Sequence, residues 1–170
     1  MEQYDVIVIG GGHAGCEAAL ASARMGCSTL LLTLSLDNIA LMPCNPAIGG
    51  VGKGHIVREI DTLGGEMAKV TDKTGIQFRV LNVSRGPAVQ GSRAQSDKNL
   101  YKQEMRRVLE HQAGLDIAPE EADELLVKNN AIRGVRTAQG SEYLSKTIVI
   151  TTGTFLRGVI HIGLKQHPAG

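Results

Sequence analysis

Aromatic residues make up only 3% of this 170-residue chain, and tryptophan is absent. The core must therefore be aliphatic, and a base-stacking surface built from several aromatics is not to be expected. Cysteine is scarce too. Cys16, Cys27 and Cys44 form no C-x-x-C pair and no zinc-ligand spacing, and their odd number suits a reducing compartment. No apolar run approaches the ~18–20 residues of a membrane span. The amino terminus, Met1-Glu2-Gln3-Tyr4-Asp5, is acidic and enters an apolar run at once, unlike a signal peptide. These features lead to the expectation of a cytoplasmic protein. The formal charge of +1 supplies no global attraction to nucleic acid.

The charge is nevertheless uneven. Residues 53–107 hold eleven basic and six acidic residues, whereas residues 1–52 hold one and four. Two readings of the basic block stand side by side: an ordinary solvated surface, or a face for a polyanion. The hydrophobic fraction of 42% and the 21 glycines fit an α/β protein with many turns, long enough for one real core.

The chain is organised by Asp5-Val-Ile-Val-Ile-Gly-Gly-Gly-His-Ala-Gly15, a β-branched run that ends in glycine and opens into an alanine-rich segment. Gly10, Gly12 and Gly15 stand in G-x-G-x-x-G spacing. The first allows a sharp turn, the second lets backbone approach a pyrophosphate, and the third lets helix and strand pack closely. A helix over residues 14–25 and a second strand over 28–33 complete a βαβ unit. The helix amides, at the positive end of its dipole, would face the phosphates. The acid that usually ends the second strand and holds a ribose is missing. Thr33 or Ser35 could stand in for it, and Asp37 comes too late.

Residues 37–54 read as a long irregular loop of prolines, glycines and apolar residues, ending near Lys53. Loops of this kind are commonly functional, and amides beside glycines can form an anion-binding nest. The loop is not a Walker A motif, because Gly54 follows Lys53 with the wrong upstream spacing. A helix is expected over 55–63 and a strand over 76–83, with Gln77, Arg79 and Asn82 lining a cavity. Residues 84–96 read as irregular, with Ser96 as N-cap of a helix to about residue 112. Tyr101, Met105 and Val108 form its core face. Beyond it, Leu115–Ala118, short strands on either side of Asn129-Asn130 and Gln139-Gly140, and an apolar strand over 146–151 predict a β-meander followed by a parallel strand.

This layout is that of the α/β, FAD/NAD(P)-binding Rossmann-like fold of the two-dinucleotide type, with a β-meander and left incomplete. Two stretches are more specific. Gly10-Gly-Gly-His-Ala-Gly15, and Pro43-Cys-Asn-Pro-Ala-Ile-Gly-Gly-Val-Gly-Lys-Gly54, resemble the MnmG/GidA family of FAD-dependent tRNA uridine 5-carboxymethylaminomethyl modification enzymes. Arg85-Gly-Pro-Ala-Val89, Arg93-Ala-Gln95, Gly153-Thr-Phe-Leu156 and His161-Ile-Gly163 resemble it as well, so the likeness covers nearly the whole chain. The family is far longer. The chain therefore matches an amino-terminal part of the FAD-binding domain, residues 1–170, with an insertion over about 37–95, and by itself is expected to be inactive in tRNA modification.

The resemblance implies FAD as cofactor, NADH as reductant and methylenetetrahydrofolate as carbon donor. It implies tRNA, the GTPase MnmE and a second copy of the full-length protein as partners. Carried over by position, Gly10, Gly11, Gly12, His13, Ala14 and Gly15 hold the FAD phosphates, and Ala122 touches the adenine end through its backbone. Cys44 matches the family's loop cysteine. Its chemistry has a rationale: C5 of uracil is a poor nucleophile until something adds at C6, and a thiolate is a good addend. The other reading makes Cys44 a structural thiol in a loop that positions the flavin. Two further functions stay open, another FAD-dependent oxidoreductase and a non-catalytic tRNA- or partner-binding module.

Overall fold

The structure is a computed structural model that describes residues 2–42 and 45–169. Its strands are, in chain order, β1 (Glu2–Gln3), β2 (Val6–Ile9), β3 (Thr29–Leu32), β4 (Ala47–Gly49), β5 (Gly75–Leu81), β6 (Gly91–Ser96), β7 (Leu115–Ala118), β8 (Ala122–Lys128), β9 (Ala131–Thr137), β10 (Glu142–Leu144), β11 (Thr147–Ile150), β12 (Gly158–Ile162) and β13 (Lys165–Ala169). Its helices are α1 (His13–Arg24), α2 (Lys53–Thr62), α3 (Met67–Thr74) and α4 (Lys98–Glu110).

The central sheet is parallel, in the order β11-β2-β3-β7. Its strands are apolar without alternation because both faces are covered. Val8 and Leu31 point into a core with Cys16, Ala19 and Leu20 of α1 and Tyr101, Met105 and Leu109 of α4. Ile7, Leu30 and Leu32 point the other way and meet Val135 of the meander sheet, β1-β10-β9-β8. The result is a three-layer Rossmann-like α/β fold of the expected class. From β2 the chain steps outward through β3 to β7, then returns to place β11 on the other side of β2. The switch point therefore lies between the carboxyl ends of β2 and β11, where ligands of open α/β sheets bind.

The expected meander is present. Asn129 and Asn130 both take positive φ, 53° and 57°, as a tight hairpin between β8 and β9 demands. A second expectation fails. Residues 84–96 are not irregular throughout, because 91–96 form β6, the middle strand of an antiparallel sheet β4-β6-β5. Ser96 accordingly ends a strand, and Asp97 caps α4, its carboxylate accepting from the amides of Asn99 and Leu100 at 2.9 Å. The buried face of α4 is Tyr101, Met105 and Leu109, with Val108 only partly covered.

One long-range contact holds the helical layer together. Glu66 precedes α3 and caps nothing with its own side chain. Instead the Glu17 carboxylate of α1 accepts from the amides of Glu66 (2.9 Å) and Met67 (2.5 Å). The buried Glu66 is neutralised by Arg24 at 2.6 Å. Glu17→Ala removes the cap and leaves two partly buried amides without an acceptor. It is expected to cost about 1–2 kcal/mol in urea unfolding, whereas a loss within about 0.3 kcal/mol would mean that the cap is dispensable. Among the described residues, no helix is long and apolar enough to cross a membrane.

Candidate functional site

The glycine turn sits at the switch point, and each glycine meets a different neighbour. Gly10 has φ +105°, and a Cβ there would lie 2.6 Å from the Thr151 carbonyl oxygen. Gly15 faces the strand so closely that a Cβ would lie 1.7 Å from the Gly10 carbonyl oxygen. Gly12 is the opposite case: nothing lies within 4 Å of its Cβ position, and the residue is exposed. The two tight glycines bind the fold to itself, while Gly12 leaves a face of bare backbone open.

Neighbouring segments fix the turn. The Gly10 amide donates to the Leu32 carbonyl, and the Ala40 amide donates to the Gly11 carbonyl, both at 2.8 Å. From the far side Thr151 donates its hydroxyl to the carbonyls of Ile9 and Gly10, at 2.8 and 3.0 Å. Sequence reasoning ended the last parallel strand at residue 151 without finding this clamp. The Thr-x-Gly-Thr pattern starting at Thr151 was its signal.

Gly12 is the N-cap of α1 and has no side chain to satisfy the first amides. Among the described residues, the amides of Gly12, His13, Ala14 and Gly15 donate to no protein acceptor. The first turn also contains no acid. Uncapped amides, the positive end of a helix dipole and an open approach suit a diphosphate in chemistry and in space. The turn therefore fits the phosphate end of a dinucleotide.

His13 is neutral at physiological pH. Burial, seconded by the Lys53 charge, lowers its pKa to about 4. Its Nδ1 is buried and, among the described residues, has no hydrogen-bond partner. The ring meets Tyr101 edge-on at 5.6 Å, and the Tyr101 hydroxyl is likewise buried with no partner among the described residues. Cys16 lies on the same side of α1, with its thiol 3.5 Å from the Gly11 carbonyl. Burial pushes that thiol up to about 12, so it is a packing group and no nucleophile.

The ribose reading changes in detail. Thr33 is buried and donates its hydroxyl to the Ser35 carbonyl at 3.3 Å. Ser35 accepts from the Asp37 amide at 3.2 Å and caps a short 3-10 turn. Both hydroxyls are tied into the loop after β3, and the Asp37 carboxylate turns to Arg106 at 3.5 Å. Ala122 is half-buried in the core cluster beneath the meander, with Ile9 and Ala118, the last residues of β2 and β7. It thus shares the carboxyl end of the sheet with the glycine turn.

Cys44 lies outside the described residues, as does Pro43. The chain that follows is firmly held. The Gln95 side chain approaches Asn45 Oδ1 at 3.4 Å, and the Ser96 amide donates to the Pro46 carbonyl at 2.8 Å. Lys53 reaches back to the Ala47 carbonyl at 3.2 Å, and burial lowers its pKa. Gln77 and Arg79 do line a cavity, with Leu81, Arg93 and Gln95. Asn82 does not line it. It takes φ +58° in the turn after β5 and donates to the Val89 carbonyl at 2.9 Å.

The family model described as glucose inhibited division protein A matches residues 5–170. The tRNA uridine 5-carboxymethylaminomethyl modification enzyme MnmG of Geotalea uraniireducens is 63% identical over 169 residues, 99% of this chain and 27% of that protein. A crystal structure of Aquifex aeolicus GidA superposes with TM-score 0.94 at 57% identity, over 98% of this chain and 28% of that one. The GidA-related protein of Thermus thermophilus shares the fold at TM-score 0.64 and 21% identity, over 96% of this chain and 59% of that one. The chain thus spans about a quarter of the length of its curated relatives.

Proposed function

Since the chain belongs to the glucose inhibited division protein A family, we propose that it is the FAD-phosphate-binding portion of a tRNA-modifying flavoenzyme. The observation that carries this reading is the open, uncapped backbone at Gly12, at the switch point of a parallel sheet. In this reading the turn Gly10–Gly15 receives the diphosphate, through the uncommitted amides of Gly12, His13, Ala14 and Gly15. The backbone of Ala122 receives the adenine end. The neutral His13 contributes shape and no charge, which leaves the anion to the helix dipole and Lys53. Bound FAD supplies the redox capacity that the chain's own residues lack.

The complete activity in this reading is addition of an aminomethyl or carboxymethylaminomethyl group at C5 of the wobble uridine of tRNA. The GTPase MnmE is the partner, methylenetetrahydrofolate the carbon source and NADH the reductant. The full-length protein works as a homodimer, and the setting is the cytoplasm. Cys44 is the nucleophile that adds to C6 of the uracil, making C5 reactive. The flanking chain supports this role: Asn45 and Pro46, right after it, are anchored to β6, and Ala40, four residues before it, donates to the Gly11 carbonyl of the glycine turn.

Gly12→Val tests the phosphate cradle. The substitution meets no protein atom within 4 Å at its Cβ and sits at ordinary backbone angles, φ −72° and ψ −175°. It should leave the melting temperature of the apoprotein nearly unchanged. FAD affinity, read by fluorescence quenching, should fall on the order of 100-fold, about 2.7 kcal/mol. Unaltered FAD affinity in this variant would rule out the glycine turn as the diphosphate site.

A further inference from the structure

Strands β5 and β6 place two arginines directly against each other. The register pairs Arg79 with Arg93 and, next to them, Gln77 with Gln95. Side chains two apart on a strand share a face, so this quartet forms one polar surface. Phe78, Val80 and Ala94, which alternate with them, line a second cavity with residues of α2 and α3, Asp72 among them, and the two arginines border that cavity as well. Gln77, Arg79, Leu81, Arg93 and Gln95 together line a concavity of about 230 Å³.

This arrangement is costly unless an anion completes it. Directly opposed residues on paired strands hold their Cβ atoms ~4.5–5.5 Å apart, and like charges there repel. Among the described residues, neither guanidinium meets a carboxylate, although Arg24, Arg106, Arg107 and Arg136 do and Arg58, Arg85, Arg133 and Arg157 do not. The lining holds no acid. A bulge between Gly75 and Gln77 resets the register and puts Gln77 opposite Gln95, as bulges beside binding sites often do. The donors that converge are guanidinium and, from the glutamines, neutral amide groups. That is the chemistry of a tetrahedral or planar oxyanion.

Its position says which oxyanion. The Gln95 side chain, part of the lining, also approaches Asn45, the residue after Cys44. A ligand group held by the arginines therefore lies alongside the cysteine loop. Taking tRNA as the substrate, as the proposed function does, we propose that Arg79 and Arg93, flanked by Gln77 and Gln95, form a subsite for a backbone phosphodiester of the RNA. The subsite positions the strand while the neighbouring loop acts on the base. It reads no sequence, as phosphate contacts do not. The basic excess of residues 53–107 gains a specific locus here, rather than serving only as a solvated surface.

The test is binding of a tRNA anticodon stem-loop by the protein, titrated across salt, for wild type, R79A/R93A and R79K/R93K. Each lost phosphate contact flattens the plot of log affinity against log salt by roughly 0.7–0.9. The alanine pair should therefore lower affinity and flatten the slope by roughly 0.7–0.9, the loss of one phosphodiester contact, and the lysine pair should keep most of the slope. Because the arginines repel each other in the free protein, the alanine pair should melt at or above the wild-type temperature. A lower melting temperature would assign them a structural role and overturn the proposal. An unchanged slope would overturn the subsite while leaving the family reading intact. Loss of methylenetetrahydrofolate affinity with an unchanged RNA slope would overturn it in favour of a folate carboxylate. A wild type that binds no stem-loop would overturn the subsite and the tRNA reading together.

Discussion

Gly15→Ala is expected to destabilise the protein by about 3 kcal/mol or more and to abolish retention of FAD. The new Cβ would stand 1.7 Å from the Gly10 carbonyl oxygen, 2.9 Å from its carbon and 2.8 Å from Thr151 Oγ1. Two of these three neighbours are backbone atoms of the turn itself, so no side-chain rotation relieves the clash. Helix α1 must move off β2, which carries the amides of His13 and Ala14 away from the place where a diphosphate would meet them. The same movement disturbs the Thr151 hydroxyl, which ties β11 to the turn through Ile9 and Gly10. For a chain of this size, 3 kcal/mol corresponds to a melting temperature lower by roughly 6–12 °C. Thermal unfolding followed by circular dichroism reads the first effect, and absorbance of the purified protein near 450 nm reads the second. The comparison with Gly12→Val is the informative one. Both sit in one motif, yet one should damage fold and binding together and the other binding alone. Similar melting of the two variants would show that the close approach at Gly15 is not what the packing requires.

That contrast marks how far the sequence could be read. The spacing of Gly10, Gly12 and Gly15 assigned three roles in advance, and the surroundings of the three residues differ accordingly. The buried strands Val6–Ile9 and Thr29–Leu32 were legible because unbroken apolar runs are what a doubly covered parallel sheet demands. The meander was legible from Asn129-Asn130, a pair able to take positive φ. Strand β6 was not. Gly91, Ser92, Arg93, Ala94, Gln95 and Ser96 have little β propensity, and the strand exists because β4 and β5 flank it on both edges. The helix start after it was misplaced by one residue for a local reason: Ser96 and Asp97 are both good caps, and pairing with β5 had already claimed Ser96. The Glu17 cap on α3 had no local signal, since acceptor and donors lie far apart in the chain. Tertiary partners decided each of these misses, and propensity decided the successes.

Cys44→Ser, in the complete enzyme supplied with tRNA, MnmE, methylenetetrahydrofolate, GTP and NADH, is expected to lower tRNA modification by at least about 1,000-fold, about 4 kcal/mol, with flavin content unchanged. A serine hydroxyl remains protonated at neutral pH and adds poorly to an uncharged pyrimidine, whereas a thiol near a cation supplies a ready fraction of thiolate. Lys53 brings such a cation to the loop, its ammonium on the Ala47 carbonyl. Cys16 cannot take over, because its thiol is buried in the core and raised to about 12. Flavin content separates the two roles. A thiol that merely shapes the flavin pocket would lose cofactor and activity in proportion, while a nucleophile would lose activity alone. Modification by the serine variant within a few-fold of wild type, with flavin in place, would remove Cys44 from the chemistry. The arginine subsite on β5 and β6 would then have to be tested as an RNA clamp without a reacting neighbour.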